Sequence, residues 1–193
     1  MLENSESDNV VHEIKDNDGK LIKSHAMKDG VPHGETVIYD NKGQVAHRVN
    51  FSNGVLSGKA EFYKDGDLLM LATFENGKQE GEMVYFQNGI KSVVANYKNG
   101  VFDGDFSSFD LQGNLTRVIT YVNGKEDGVC ELFYPNGTVL EQSNYKNGRL
   151  DGDRIRCYPN GSTMEVCRFA DGKQYGYIDK YEMNGRLISR EEV

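Results

Sequence analysis

Three glycines recur in fixed phase along nearly the whole chain, and any fold must accommodate all of them. Seven copies start at Met27, Phe51, Phe74, Tyr97, Tyr121, Tyr145 and Phe169, at intervals of 24, 23, 23, 24, 24 and 24 residues. The first glycine stands three residues after each start (Gly30, Gly54, Gly77, Gly100, Gly124, Gly148, Gly172), and the second follows four later (Gly34, Gly58, Gly81, Gly104, Gly128, Gly152, Gly176). The third comes eight or nine beyond that (Gly43, Gly66, Gly89, Gly113, Gly137, Gly161, Gly185), and the two 23-residue copies are those with the shorter gap. Half a copy, ending in Gly19, precedes the first full one. Self-similarity at this period is the signature of a repeat architecture.

Asn or Asp precedes the first glycine in every copy, and precedes the third in Asp65-Gly66, Asn88-Gly89, Asn136-Gly137, Asn160-Gly161 and Asn184-Gly185. Such pairs favour two-residue hairpin turns, because both central residues of a type I′ turn need positive φ. The runs between them, such as Leu68–Phe74 and Glu82–Phe86, are rich in strand-forming residues. No helical period occurs, and Pro32, Pro135 and Pro159 are expected in turns. The pattern therefore predicts an all-β fold, an elongated single-layer antiparallel β-meander of about seven hairpin repeats and 15 or 16 strands. One array is expected over residues 10–193, with residues 1–9 a disordered polar tail.

The core is expected along one narrow column. Two residues before each start stand His25, Val49, Ala72, Ala95, Ile119, Ser143 and Cys167, which strand alternation places on the face of the aromatic start. A second aromatic column runs through Tyr39, Tyr63, Phe86, Phe109, Phe133 and Tyr181, with Cys157 in place of one member. Apolar content of 37% is low for a single globular core and suits units that bury surface only against neighbours.

The repeat also carries a family resemblance. Aromatic-x-Asn-Gly-x-x-x-Gly, then a strand, then Asn-Gly, resembles the MORN repeat variant (membrane occupation and recognition nexus) common in bacterial proteins. Val31-Pro32-His33-Gly34 is similar to the His-Gly step of standard MORN repeats, although the usual Trp is missing and the chain has none. The resemblance implies a binding or scaffold role. Bacterial proteins built wholly from this variant resemble antitoxin or immunity proteins that neutralise a cognate toxin, with scaffolding of proteins at or away from membranes as the alternative.

Chemistry-bearing motifs do not survive inspection. Gly54-Val-Leu-Ser-Gly58-Lys59-Ala60 has three residues between glycines where a phosphate loop needs four, and Ala60 stands in the Mg²⁺-ligand position. His12-Glu13 lacks the second histidine of a zinc protease, since Asp16 occupies its place. Asp16-Asn-Asp18-Gly19 has Ile14 at the first ligand position of a calcium loop and no bidentate Glu. Pairing across an Asp18-Gly19 turn sets His12 opposite His25, with no further Cys or carboxylate clearly completing a metal site. Neither catalytic residues, metal nor cofactor is expected.

With 22 basic and 30 acidic residues, the net charge of −8 argues against nucleic acid and anionic membranes as main partners. A protein partner with a basic surface suits that sign. Glu80, Asp103, Asp127 and Asp151 precede the second glycine in four successive copies, and Glu82, Asp105 and Asp153 follow it in three of them. These seven are the candidate partner-binding residues, as an acidic ridge along one sheet edge. Ser57 and Tyr175 fill the preceding slot elsewhere, so replacing the four there is expected to leave the melting temperature nearly unaltered. Cys130, Cys157 and Cys167 are odd in number and expected reduced. A cytoplasmic location is expected, or a periplasmic one if a leader is removed.

Overall fold

The computed structural model describes residues 10–193, and the expected tail at 1–9 lies outside them. Every regular element among them is a strand. The chain divides into two compact units, the first ending at Gly89 and the second running from Ile90 to Val193.

The first unit contains β1 (Val10–Lys15), β2 (Leu21–Lys28), β3 (Val31–Tyr39), β4 (Val45–Ser52), β5 (Val55–Leu56), β6 (Gly58–Lys64), β7 (Asp67–Glu75), β8 (Lys78–Gln79) and β9 (Gly81–Gln87). The second contains β10 (Ile90–Lys98), β11 (Val101–Phe109), β12 (Leu115–Val122), β13 (Lys125–Phe133), β14 (Val139–Lys146), β15 (Arg149–Cys157), β16 (Thr163–Ala170), β17 (Lys173–Tyr181) and β18 (Leu187–Glu192). Within each unit these strands form an antiparallel meander. Eighteen strands replace the expected 15 or 16 because Ser57 and Glu80 interrupt two of them, separating β5 from β6 and β8 from β9.

The first and second glycines impose different constraints. At Asn147-Gly148 both residues have positive φ, 51° and 81°, as a two-residue hairpin turn requires. The Gly148 amide also reaches back to the Glu126 carbonyl at 2.8 Å, tying this turn to the preceding repeat. Gly152 lies in a bulge: Tyr145 pairs with Leu150 while Ser143 pairs with Arg154, so three residues oppose Asn144 alone. There φ is 117°, and a Cβ would lie 3.2 Å from the Cβ of Asn144. Asn144 Nδ2 donates to the Asp153 carbonyl beside this bulge at 3.1 Å. Asn96 and Asn50 make the same bond to Asp105 and Lys59.

The third glycines close two kinds of turn. Asp65-Gly66 and Asn88-Gly89 have positive φ at both residues. The other loops are one residue longer: the Gly137 amide donates to Tyr134 O, the Tyr134 amide to Thr138 O, and only the glycine takes positive φ. This arrangement matches a turn followed by a glycine bulge. Asn136, Asn160 and Asn184 therefore correct the two-residue expectation; each instead accepts the amide two residues on through its side chain. The residue missing from each 23-residue copy is thus the extra loop residue. Pro32 is a second correction, lying inside β3, where its carbonyl accepts the Gly54 amide and no donor is asked of it.

The core follows the expected column. Ala95 and Ile119 are 0% exposed, Cys167 1%, Ser143 3%, Ala72 4% and Val49 9%. Direct cross-strand partners Ala60 (against Ala72) and Cys130 (against Ile119 and Ser143) are also buried. Larger side chains flank these small ones: the Phe102 ring lies 4.6 Å from Tyr97, 5.1 Å from Tyr121 and 5.7 Å from Phe106. Burying Ile119 completely contributes about 2 kcal/mol. The second aromatic column, at the far strand ends, is only half-buried.

Gly148→Ala should cost about 1 kcal/mol through its turn conformation, while Gly152→Ala should cost about 2 kcal/mol because Asn144 must also give way. Lys146→Ala should stay within about 0.5 kcal/mol. Urea unfolding of the three variants checks that order, and equal shifts would remove the bulge argument.

Candidate protein-binding surface

The residues preceding the second glycine sit at the bulge and look toward the next repeat's turn. Asp103 Oδ2 accepts the amide of Asn123 at 3.0 Å, Asp127 Oδ2 that of Asn147 at 3.1 Å, and Asp151 Oδ2 that of Asp171 at 3.2 Å. His33, in the same slot of the first copy, accepts the Asn53 amide through Nδ1 at 3.3 Å. Each clasp spans 20 residues of sequence and binds the turn whose glycine amide is already held by the preceding strand. Charge-assisted acceptance by a carboxylate is stronger than a neutral bond. Three ridge carboxylates therefore support the fold, which revises the expectation that serine there leaves melting unchanged.

The seven candidate residues do not form one set. Glu80 and Glu82 belong to the first unit and the other five to the second. Glu80 stands between β8 and β9, its amide donating to Thr73 O at 2.9 Å. Glu82 is exposed and lines a shallow recess with Lys59, Thr73 and Val84. Asp105 accepts from Thr120 Oγ1 at 3.0 Å, and Asp153 pairs with Arg168 at 3.2 Å, both across the strand pair. The edge is also less acidic than the ridge alone suggests. Lys125, Arg149 and Lys173 directly follow first glycines, and Arg149 pairs with Asp171 at 2.6 Å.

A charged row on the core-side face of the second unit is absent from the sequence-based candidates. Arg117 pairs with Leu132, Leu132 with Glu141, Glu141 with Arg156, Arg156 with Glu165, and Glu165 with Lys180. Direct partners share a face, so these side chains form one line across six strands. Arg156 contacts Glu141 at 3.4 Å, Arg154 contacts Glu165 at 3.5 Å, and Arg117 contacts Glu126 at 2.6 Å. Burial opposes the Arg117 charge, but hydrogen bonds to Cys130 and Glu126 outweigh it and hold its pKa above the arginine norm. Burial and then the Glu126 charge raise the Tyr121 and Tyr145 phenols. Arg154 also lies 5.2 Å from the centre of the Phe169 ring. The available signal was the position four before each start, which carries Arg117, Glu141 and Glu165 in successive copies.

Both surfaces offer preformed polar groups, most of them already internally paired. Residues 126–147 match the family described as MORN repeat variant. That segment covers one copy's second glycine, its third-glycine loop and the next Asn-Gly asparagine, and it supports a MORN-repeat protein. Comparison with curated proteins gives no match. Such repeats suggest a binding or scaffold module, since arrays of this kind serve through the surface they present.

Asp127→Ala should lower stability by about 1 kcal/mol, because the Asn147 amide loses a charged acceptor, whereas Asp127→Asn should recover about half of that loss. Thermal melts of both variants decide it; a wild-type melting temperature for Asp127→Ala would show that the clasp adds nothing.

Proposed function

We propose that this chain is a non-catalytic binding protein that neutralises a cognate toxin or effector by covering a basic surface on it. The observation that carries the reading is the clasping of the turns at Asn53, Asn123, Asn147 and Asp171 by the repeat before each. An array ordered in this way presents a surface without further ordering on association, which lowers the entropic cost of binding. The net charge of −8 favours encounter with a cationic protein. The resemblance to antitoxin and immunity proteins supplies the toxin as the kind of partner. Nucleic acid and membrane contact have no part in this reading. It carries a cytoplasmic location, with the periplasm as the alternative.

A scaffold that gathers several proteins is the second reading, and it draws on the equivalence of successive repeats. The two differ in what binding does: a neutraliser abolishes its partner's activity, whereas a scaffold leaves it intact. Co-production with a basic toxin encoded beside the gene should restore growth under the first reading only. Co-sedimentation with anionic liposomes at physiological salt would favour a membrane-associated scaffold.

The electrostatic part has its own test, built on asparagine because it retains an acceptor oxygen for the clasp. Glu80→Gln combined with Asp103→Asn, Asp127→Asn and Asp151→Asn should slow association with that toxin several-fold and flatten its salt dependence. Each rim charge contributes about 0.5 kcal/mol. Surface plasmon resonance at low and high salt measures both quantities. An association rate and salt slope equal to wild type would mean that the ridge serves only the fold.

A further inference from the structure

His12 and His25 are direct cross-strand partners on β1 and β2, with ring centroids 5.6 Å apart and planes 27° from parallel. The proposed binding role makes no use of them. Backbone pairing enforces their meeting: the register is constant from Val10–Met27 to Ile14–Lys23 and slips only after Ile14. Beyond that slip Asp16 fixes the loop, its Oδ1 accepting the amides of Asp18 and Lys20. The hairpin therefore holds the two imidazoles side by side.

His25 Nδ1 is buried and has no hydrogen-bond partner. Burial first, then the charge of Lys23 and then His12, lower the His25 pKa. Lys23 and His12 are the ionisable groups facing it from β1 and β2. On β3 its neighbours are Thr36, opposite His25, and Ile38, opposite Lys23. A metal ion about 2.0–2.1 Å from one nitrogen of each ring sets the ring centres about 5–5.5 Å apart at near-tetrahedral to trigonal angles. The observed separation is already close to that, and because the rings stand stacked, an imidazole must turn about its side-chain bonds to bring two nitrogens to a common point.

The geometry points to His12 and His25 as a two-histidine site for a late first-row divalent cation, the class of zinc, nickel and copper that imidazole suits. Among the described residues no group of three or more His, Cys, Asp or Glu gathers, so water completes the coordination. The ion would pin β1, exposed along its whole length, onto β2. No hydrogen bond orients the His25 ring through Nδ1, so affinity falls below that of a closed structural zinc site.

Calorimetric titration of the full-length, tag-free protein with zinc chloride tests this. One zinc per chain is expected, with affinity about tenfold or more weaker in His12→Ala and in His25→Ala and unchanged in Lys146→Ala. Affinity should also fall about tenfold or more between about pH 7.5 and about pH 5.5, because a metal-ligating imidazole must be deprotonated. His12 is exposed, so its variant folds and isolates the ligand effect; the imidazole NMR signals of His12 and His25 should shift together in wild type. Zinc affinity that either substitution leaves unchanged, binding that departs from one per chain, or binding that is not saturable overturns the site.

Discussion

A backbone amide of one repeat held by a group in the repeat before it is the interaction on which this protein depends. The turns at Asn123-Gly124, Asn147-Gly148 and Asp171-Gly172 point N–H groups at the preceding repeat, and two kinds of acceptor meet them. Carbonyls of residues such as Phe102, Glu126 and Leu150 take the glycine amide. Side chains of Asp103, Asp127 and Asp151 take the amide of the residue just before it. An isolated hairpin is marginal in water, and stacking of this sort is what lets a thin array persist. The glycines are the geometric condition for it, since one sets the turn and the next sets the bulge that brings the carboxylate into reach.

The bulge has a further role in burial. Opposing three residues to one bends the strand and increases its twist. Beside it the column of small residues becomes inaccessible while larger neighbours of the same face close over it. Ala95 and Ile119 reach complete burial in a protein whose overall apolar content is low. Across the second unit this column carries progressively more polar members, ending with Ser143, Arg154 and Cys167, and the neighbouring row becomes charged. The same backbone thus tolerates two chemistries on its core-side face: His47, Phe62 and Met70 in the first unit, and Glu141, Arg156 and Glu165 in the second.

Much of this was legible before the structure. Glycine phase located every turn, and counting back from the aromatics located the buried column, because both follow from local rules of period and φ. What escaped was set by partners distant in sequence or by a single-residue choice. Asn136-Gly137 and Asp65-Gly66 look alike as pairs, yet one extra loop residue changes which of them takes positive φ. Asp127 read as a surface charge because the amide it serves, at Asn147, lies 20 residues away. The charged row was hidden since its members meet only once the strand register is known. His12 opposite His25 was predictable from the turn, but the distance between their rings was not.

All these clasps run in one direction. Donors on a turn find acceptors upstream in the chain, at Phe102 for Gly124 and at Leu150 for Gly172. During synthesis, a turn leaving the ribosome already has its docking partners made and, one repeat earlier, in place. Growth of the sheet within a unit therefore has a direction at this edge, while at the opposite strand ends Tyr134 and Tyr158 donate to the carbonyls of Cys157 and Tyr181, one repeat further on. Copies added at the carboxyl side extend such an array without disturbing what precedes them, and because Asp103, Asp127 and Asp151 fill equivalent slots, removing a whole interior copy hands its successor the acceptors of the copy before.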